Sequence, residues 1–140
     1  MQIHGSCASR EGAGVLIMGP AGAGKSDLVL RLIDRGFVLV ADDRVDLEEG
    51  VARPPQGLAG LLEIRGLGLL QLPYDGSARL ALVVDLGAPH VRLPNPQIHP
   101  MLRLPVLAMD PTLASAPQRI ALALDCALGR RALSAGAFAL

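Results

Sequence analysis

The chain is short of nearly everything a nucleic-acid or membrane protein relies on. It has no tryptophan, one tyrosine and two phenylalanines, so aromatic residues make up only 2% of 140 residues. That leaves no platform for stacking bases. Thirteen basic residues against thirteen acidic ones give a formal net charge of zero, which supplies no electrostatic footprint for a polyanion. No apolar run reaches the length of a membrane span. Met1-Gln2-Ile3-His4-Gly5 has neither the basic start nor the apolar stretch of a secretory signal, and a cytoplasmic location is expected. The two cysteines, Cys7 and Cys126, have no metal-ligand spacing and leave a disulfide open. Lysine is nearly absent too: Lys25 is the only one, all other cationic side chains being arginine or histidine.

What remains is 51% hydrophobic and 19% charged, the balance of one globular domain with an aliphatic core. Gly14 to Met18 is a short apolar run suited to a buried strand. Gly19-Pro20-Ala21-Gly22-Ala23-Gly24-Lys25-Ser26 comes directly after it and reads G-x-x-x-x-G-K-S. From Ser26 to Arg35, Leu28 and Leu32, then Val29 and Ile33, pair at i, i+4 on one helical face, and Gly36 supplies the stop. Strand, glycine loop and helix in that order form the context of a phosphate-binding P-loop. The glycines let backbone N–H groups converge on a phosphate, and the helix points its positive end at the same anion. Lys25 would reach the β- and γ-phosphates, and the Ser26 hydroxyl would ligate Mg²⁺.

Two further stretches carry chemistry. Phe37 to Ala41 is an apolar strand ending in Asp42-Asp43, as an acid next to a metal-nucleotide does. Alternation along a strand would send the two carboxylates to opposite faces, one to metal-bound water and one to a proton. Leu61 to Leu70 holds Glu63 and Arg65 inside an apolar run, with Gly66 and Gly68 after them. A solvated edge with glycine bulges explains these charges as well as a site does. His4, in a first strand over Met1 to Ala8, is an ordinary polar residue or a group beside the phosphates.

The rest reads as scaffold. Arg10-Glu11-Gly12 turns the first strand back as a hairpin, Asp46 to Glu49 is a turn, and Val51 to Gly57 is loop. Leu80 to Leu86 is a strand, and Leu102 to Leu107 is an edge strand because Pro105 cannot donate to a ladder. His90 and His99 fit the surface. Ser115 with Gln118 forms a capping box for a last helix with a stripe of Ile120, Leu124 and Leu128, and Gly129 to Leu140 is a small-residue tail.

The ordered set Ile3-His4-Gly5, the P-loop, Val40-Ala41-Asp42-Asp43-Arg44-Val45 and Glu63-Ile64-Arg65-Gly66-Leu67-Gly68 resembles the catalytic domain of HPr kinase/phosphorylase. The resemblance implies an α/β, P-loop-containing core of the kind shared with PEP carboxykinase, a mixed sheet with flanking helices. It implies an ATP- and Mg²⁺-dependent protein-serine kinase acting on HPr, the phosphocarrier of the sugar phosphotransferase system, with phosphorolysis as the reverse reaction. By position it makes Asp43 the catalytic acid–base group. Lys25 becomes the phosphate ligand, and Ser26 and Glu63 metal contacts with Asp42 assisting. His4 falls near the reacting phosphate, and Arg92 matches an arginine acting on it. The resemblance also implies a homo-oligomer. The chain looks like a short form without the N-terminal domain of longer members, and Ala108-Met109-Asp110-Pro111 stands where those carry a basic, glycine-containing loop. The forward direction is therefore the better supported. A small-molecule kinase on the same core and a nucleotide-sensing module are the alternatives.

Overall fold

The computed structural model describes residues 1–139. Its centre is the parallel pair β3 (Ala13–Met18) and β9 (Ala78–Asp85), with Met18 level with Asp85. Antiparallel to β3 runs β2 (Ser6–Arg10), and antiparallel to β2 runs β4 (Val38–Ala41), so β3, β4 and β9 point the same way. Their carboxyl ends share one edge, where β3 opens into the glycine loop and β4 into Asp42-Asp43. β1 (Gln2–His4), β5 (Arg44–Glu48) and β6 (Val51–Arg53) complete the order β1-β5-β6-β9-β3-β2-β4, while β10 (Val106–Ala108) joins β9 in parallel. A separate hairpin pairs β7 (Leu61–Ile64) with β8 (Gly68–Gln71). This is the expected α/β mixed sheet with helices.

Alternation along β3 divides the core. Val15 and Ile17 face one cluster with Leu28, Val29 and Leu32 of α1 (Lys25–Ile33) and Ile120 and Leu124 of α2 (Ala116–Ala127). Leu16 faces a second, with Cys7, Val40, Val45, Leu47 and Leu80. Among the described residues no helix covers that second face: the sheet curls so that β5 and β6 lie back over β2 and β4. Arginine ties the helices down. Arg31 donates to the carbonyls of Pro111 (2.6 Å) and Leu113 (3.3 Å), and Arg10 pairs with Asp125 while its guanidinium lies 5.4 Å from the Phe37 ring centroid.

Several sequence readings need correction. The hairpin from β2 to β3 forms, but Gly5 breaks the first strand, and β1 leaves to pair with β5. Asp46 to Glu48 is strand rather than turn, and Val51 to Arg53 is its partner, the turn falling at Glu49-Gly50. Within Leu61 to Leu70 the glycines are not bulges: Gly66 sits in the turn, where its φ of +83° suits a left-handed position, and Gly68 starts β8. The C-terminal strand begins only after Pro105 and is parallel to β9. The capping box does not form. Ser115 Oγ instead accepts from Arg119 Nε at 2.8 Å, and Leu128 is at the exposed helix end.

Both thiols are free, and Cys7 lies wholly inside the second core. Burial pushes its thiol up from 9.0 to about 12. Below pH 9.0 the thiol is protonated folded or unfolded and adds no pH dependence. From 9.0 to about 12 only the unfolded chain releases the proton, so stability falls across that window. A maleimide at pH 8 is expected to label Cys126 in the native protein and Cys7 only after denaturation. Mass spectrometry reads this, and equal native labelling would contradict the packing.

Candidate active site

The P-loop owes its shape to the strand and helix it joins. β3 ends at Met18, whose carbonyl accepts from Leu86 N at 2.8 Å, so the end of β9 is laced beneath the loop. Asp85 Oδ1 then accepts from Gly87 N at 2.8 Å and turns the chain away under Pro20. Ala23 N closes a turn onto the Pro20 carbonyl at 3.1 Å. Gly24 enters α1 with φ +101°, a conformation costly for any side chain, and no side chain caps the helix. The first-turn N–H groups of α1 have no intrahelical acceptor and so face the cleft as anion donors.

Lys25, the lone lysine, is only 8% exposed. Its ammonium donates to the carbonyls of Gly19 (2.8 Å) and Pro20 (3.0 Å), which holds the charge inside the loop's curve. Ser26 points the other way, donating to Asp42 at 2.8 Å from Oδ1 and 3.0 Å from Oδ2. A hydroxyl beside a carboxylate is a hard-oxygen pair, the donor chemistry Mg²⁺ accepts together with substrate phosphates.

Asp42 and Asp43 do not part to opposite faces as strand alternation suggests. β4 ends at Ala41, and Asp43 takes φ +67°, a left-handed conformation that aspartate tolerates better than most residues. Gly5 N donates to the Asp43 carbonyl at 3.0 Å and fixes that turn. The result sends Asp42 to Ser26 and Asp43 to His4, with Nε2 and Oδ1 3.0 Å apart, and both carboxylates border one cleft. His4 and Asp43 are exposed, at 57% and 66%. The nearby Arg44–Asp43 contact, at 3.9 Å and equally exposed, contributes little.

That cleft encloses about 530 Å³ and is bordered by the P-loop, His4, Asp42, Asp43 and the β7–β8 hairpin. From the hairpin come Glu63, Ile64 and Arg65. Leu62 is buried and Glu63 exposed, so ordinary strand alternation and a place at the site both hold for Glu63. Gly22, Gly24, Lys25 and Ser26 reach the cleft, while Gly19, Pro20 and Ala23 shape the loop behind it. Arg92 is not brought there. It is exposed on the segment after β9 and does not border the cleft.

Sequence reading missed one contributor. Ser6 is fully buried and donates to Asp42 Oδ1 at 2.7 Å; a serine among small residues in a strand carries no signal of that. The loop that holds Ala108-Met109-Asp110-Pro111 lies outside the cleft's border, beside the start of α1. Asp110 accepts from the Thr112 hydroxyl (2.7 Å) and N–H (2.9 Å), which hold its carboxyl below the usual range, and Pro111 approaches Gly24.

The fold and cleft define a P-loop α/β domain in which a paired-acid strand end faces the loop. The family model described as "HPr Serine kinase C-terminal domain" matches residues 1–75, more than half of the chain, and the chain belongs to that family. The HPr kinase/phosphorylase of Clostridium acetobutylicum is 45% identical over 76 residues, covering 51% of this chain and 25% of the relative. That of Enterococcus faecalis is 45% identical over 98 residues, covering 61% and 32%. The chain thus spans about a quarter to a third of the length of these curated relatives. Across the whole fold it is similar to the Hpr(Ser) kinase/phosphatase of Coxiella burnetii, at 25% identity, 92% of each chain covered and a TM-score of 0.74.

A Cβ added at Gly5 would lie 2.8 Å from the Ile17 carbonyl oxygen, a backbone atom that cannot yield. Gly5→Ala is expected to cost about 1–3 kcal/mol of unfolding free energy in a urea titration, because it overpacks the strand junction that holds Asp43. An unchanged midpoint would show that the junction is slack.

Proposed function

We propose that the chain is an ATP-dependent protein-serine kinase whose acceptor is HPr or an HPr-like phosphocarrier. The single observation that carries this reading is the convergence of Lys25, Ser26, Asp42, Asp43 and Glu63 on one cleft in a chain of this family. Support for the acceptor comes from the names of the relatives, HPr kinase/phosphorylase and Hpr(Ser) kinase/phosphatase. A cytoplasmic, homo-oligomeric protein fits the same reading. Among the described residues no helix is long and apolar enough to cross a membrane.

The residues divide the work. The glycine loop and the start of α1 bind the triphosphate through backbone N–H groups. Lys25 leaves the carbonyls of Gly19 and Pro20, or shares itself with them, to neutralise charge on the terminal phosphates. Ser26 and Asp42, with Glu63 across the cleft, are the groups that would hold Mg²⁺. Their oxygens suit it, and a site that relies on substrate phosphates needs no cluster of three protein carboxylates or imidazoles, none of which occurs among the described residues. When bound, the ion would offset phosphate charge.

Asp43 is the base. It accepts the proton of the acceptor serine as that oxygen bonds to the γ-phosphorus and the bond to the β-phosphate oxygen breaks, so that phosphoserine and ADP leave. His4 orients the Asp43 carboxylate through the 3.0 Å contact. In phosphorolysis a phosphate oxygen bonds to the phosphorus of phosphoserine as the serine O–P bond breaks, the same carboxylate returns the proton to the serine oxygen, and serine and pyrophosphate leave.

Incubation with Mg-ATP and HPr, then mass spectrometry for phosphoserine, tests the reading. Transfer is expected with the wild-type chain, and nucleotide binding without transfer to any HPr-like protein would sink it. Asp43→Asn is expected to retain nucleotide affinity and lose about 10²–10⁴-fold in turnover, the range of a general base. Lys25→Met is expected to weaken nucleotide binding about 10–100-fold, as the loss of a charge-assisted contact does.

A further inference from the structure

The order in which β2 and β4 meet contains an irregularity, and it falls beside the cleft. Ser9 faces Val38 and Ala8 faces Leu39, yet Cys7 faces Ala41, so β4 has one extra residue at Val40. Such a bulge re-aims the side chains beyond it. In the uninterrupted register Asp42 would fall opposite Gly5, which has no side chain to meet it. With the bulge Asp42 falls opposite Ser6 and Asp43 opposite Gly5, in agreement with the Gly5 N to Asp43 O hydrogen bond.

Ser6 has no contact with solvent, so its hydroxyl is satisfied only by protein. It donates to Asp42 Oδ1 at 2.7 Å and accepts a long bond, 3.4 Å, from Asp43 N. One buried hydroxyl thereby touches the side chain of the first acid and the backbone of the second. The other donor to Asp42 is Ser26, which belongs to the P-loop. Ser26 is also the hydroxyl that a divalent cation would recruit, so its bond to Asp42 is open to rearrangement. Ser6 sits on the sheet at the floor of the cleft, with no exposed surface to offer a phosphate. It is the partner that Asp42 keeps.

We propose that Ser6 is a positioning residue: its buried hydroxyl holds the Asp42 carboxylate towards Ser26, so that the pair meets a divalent cation already aimed. This rests on the nucleotide-binding part of the function proposed above and does not need the acceptor to be HPr. Loss of the hydroxyl frees the Asp42 side chain to rotate and removes one of its two donors. The cost falls on metal-dependent binding and not on the glycine loop's own hold on phosphate.

The test measures binding of a fluorescent ATP analogue by Ser6→Ala across a Mg²⁺ titration, without any acceptor protein. Without the cation, affinity is expected to match wild type. The Mg²⁺ concentration for half-maximal enhancement is expected to rise about 10–150-fold, the equivalent of one lost hydrogen bond to a charged group. On an Asp42→Asn background the same substitution is expected to add less than about twofold, because Ser6 acts through that carboxylate. An unchanged Mg²⁺ requirement, or full additivity with Asp42→Asn, would overturn the proposal. Should Ser6→Ala fail to fold, Ser6→Cys fills the site with a weak donor and serves for both comparisons. A wild-type chain that binds no nucleotide refutes the proposed function instead, so the two failures are distinct.

Discussion

The contact between the Ser26 hydroxyl and the Asp42 carboxylate joins the two halves of the cleft. Ser26 lies in the first turn of the helix after β3, and Asp42 directly follows β4, two places away in the sheet. Neither could reach the other unless β3 and β4 ran in the same direction. They do so because β2 lies antiparallel between them. The aliphatic face of α1 sets the remaining distance: Leu28, Val29 and Leu32 are fully buried against Ile17 and Leu39, which fixes the height of the helix above the sheet. Core packing thereby determines a polar distance of 2.8 Å. A phosphate site made of backbone and short side chains has little means of correcting an error in that height.

Much of this is legible in the residues alone. The P-loop announces itself because its chemistry dictates glycine spacing and the flanking strand and helix. The second apolar strand ending in two acids is nearly as plain. What the residues do not disclose is the direction of each acid. Alternation assigns Asp42 and Asp43 to opposite faces, and the bulge at Val40 and the left-handed turn at Asp43 override it. The first lies in the pairing with Cys7 and Ala8 and the second is held by Gly5, all far back along the chain, which is why a local pattern misses them. Ser6 is illegible for a related reason: a small polar residue in a strand gains meaning only from its neighbour across the ladder. Val51 to Arg53 reads as loop because Pro54-Pro55 comes next, yet pairing with β5 and the start of β9 makes it strand. Arg92 is drawn in by resemblance alone, and the fold leaves it outside the cleft.

Lack of aromatic residues has a structural counterpart. With few large rings, the core is divided into two thin aliphatic layers, one under helices and one closed by the sheet curling on itself. Arginine supplies some of the cross-linking that rings provide elsewhere. Arg31 reaches two carbonyls of the loop before α2, and Arg10 spans Phe37 and Asp125. The first of these also bears on the cleft, since the fastened loop brings Pro111 up to Gly24 at the head of α1.

Exposure separates the roles within the site. Lys25 and Ser6 are buried and Ser26 and Asp42 half-buried, so charge interactions are strengthened on the loop side of the cleft, whereas Glu63 on the hairpin is exposed. His4 and Asp43 are more than half exposed. A base in water hands its advantage to the solvent, which competes for the phosphoryl group and screens the charge that develops. On the proposed reading, the acceptor itself must complete the enclosure, covering Asp43 as it delivers the serine. A small alcohol could occupy the cleft without drying that rim, whereas a folded acceptor protein brings a surface with its hydroxyl. The uneven burial of one cleft thus favours a macromolecular acceptor over a metabolite, independently of the names its relatives bear.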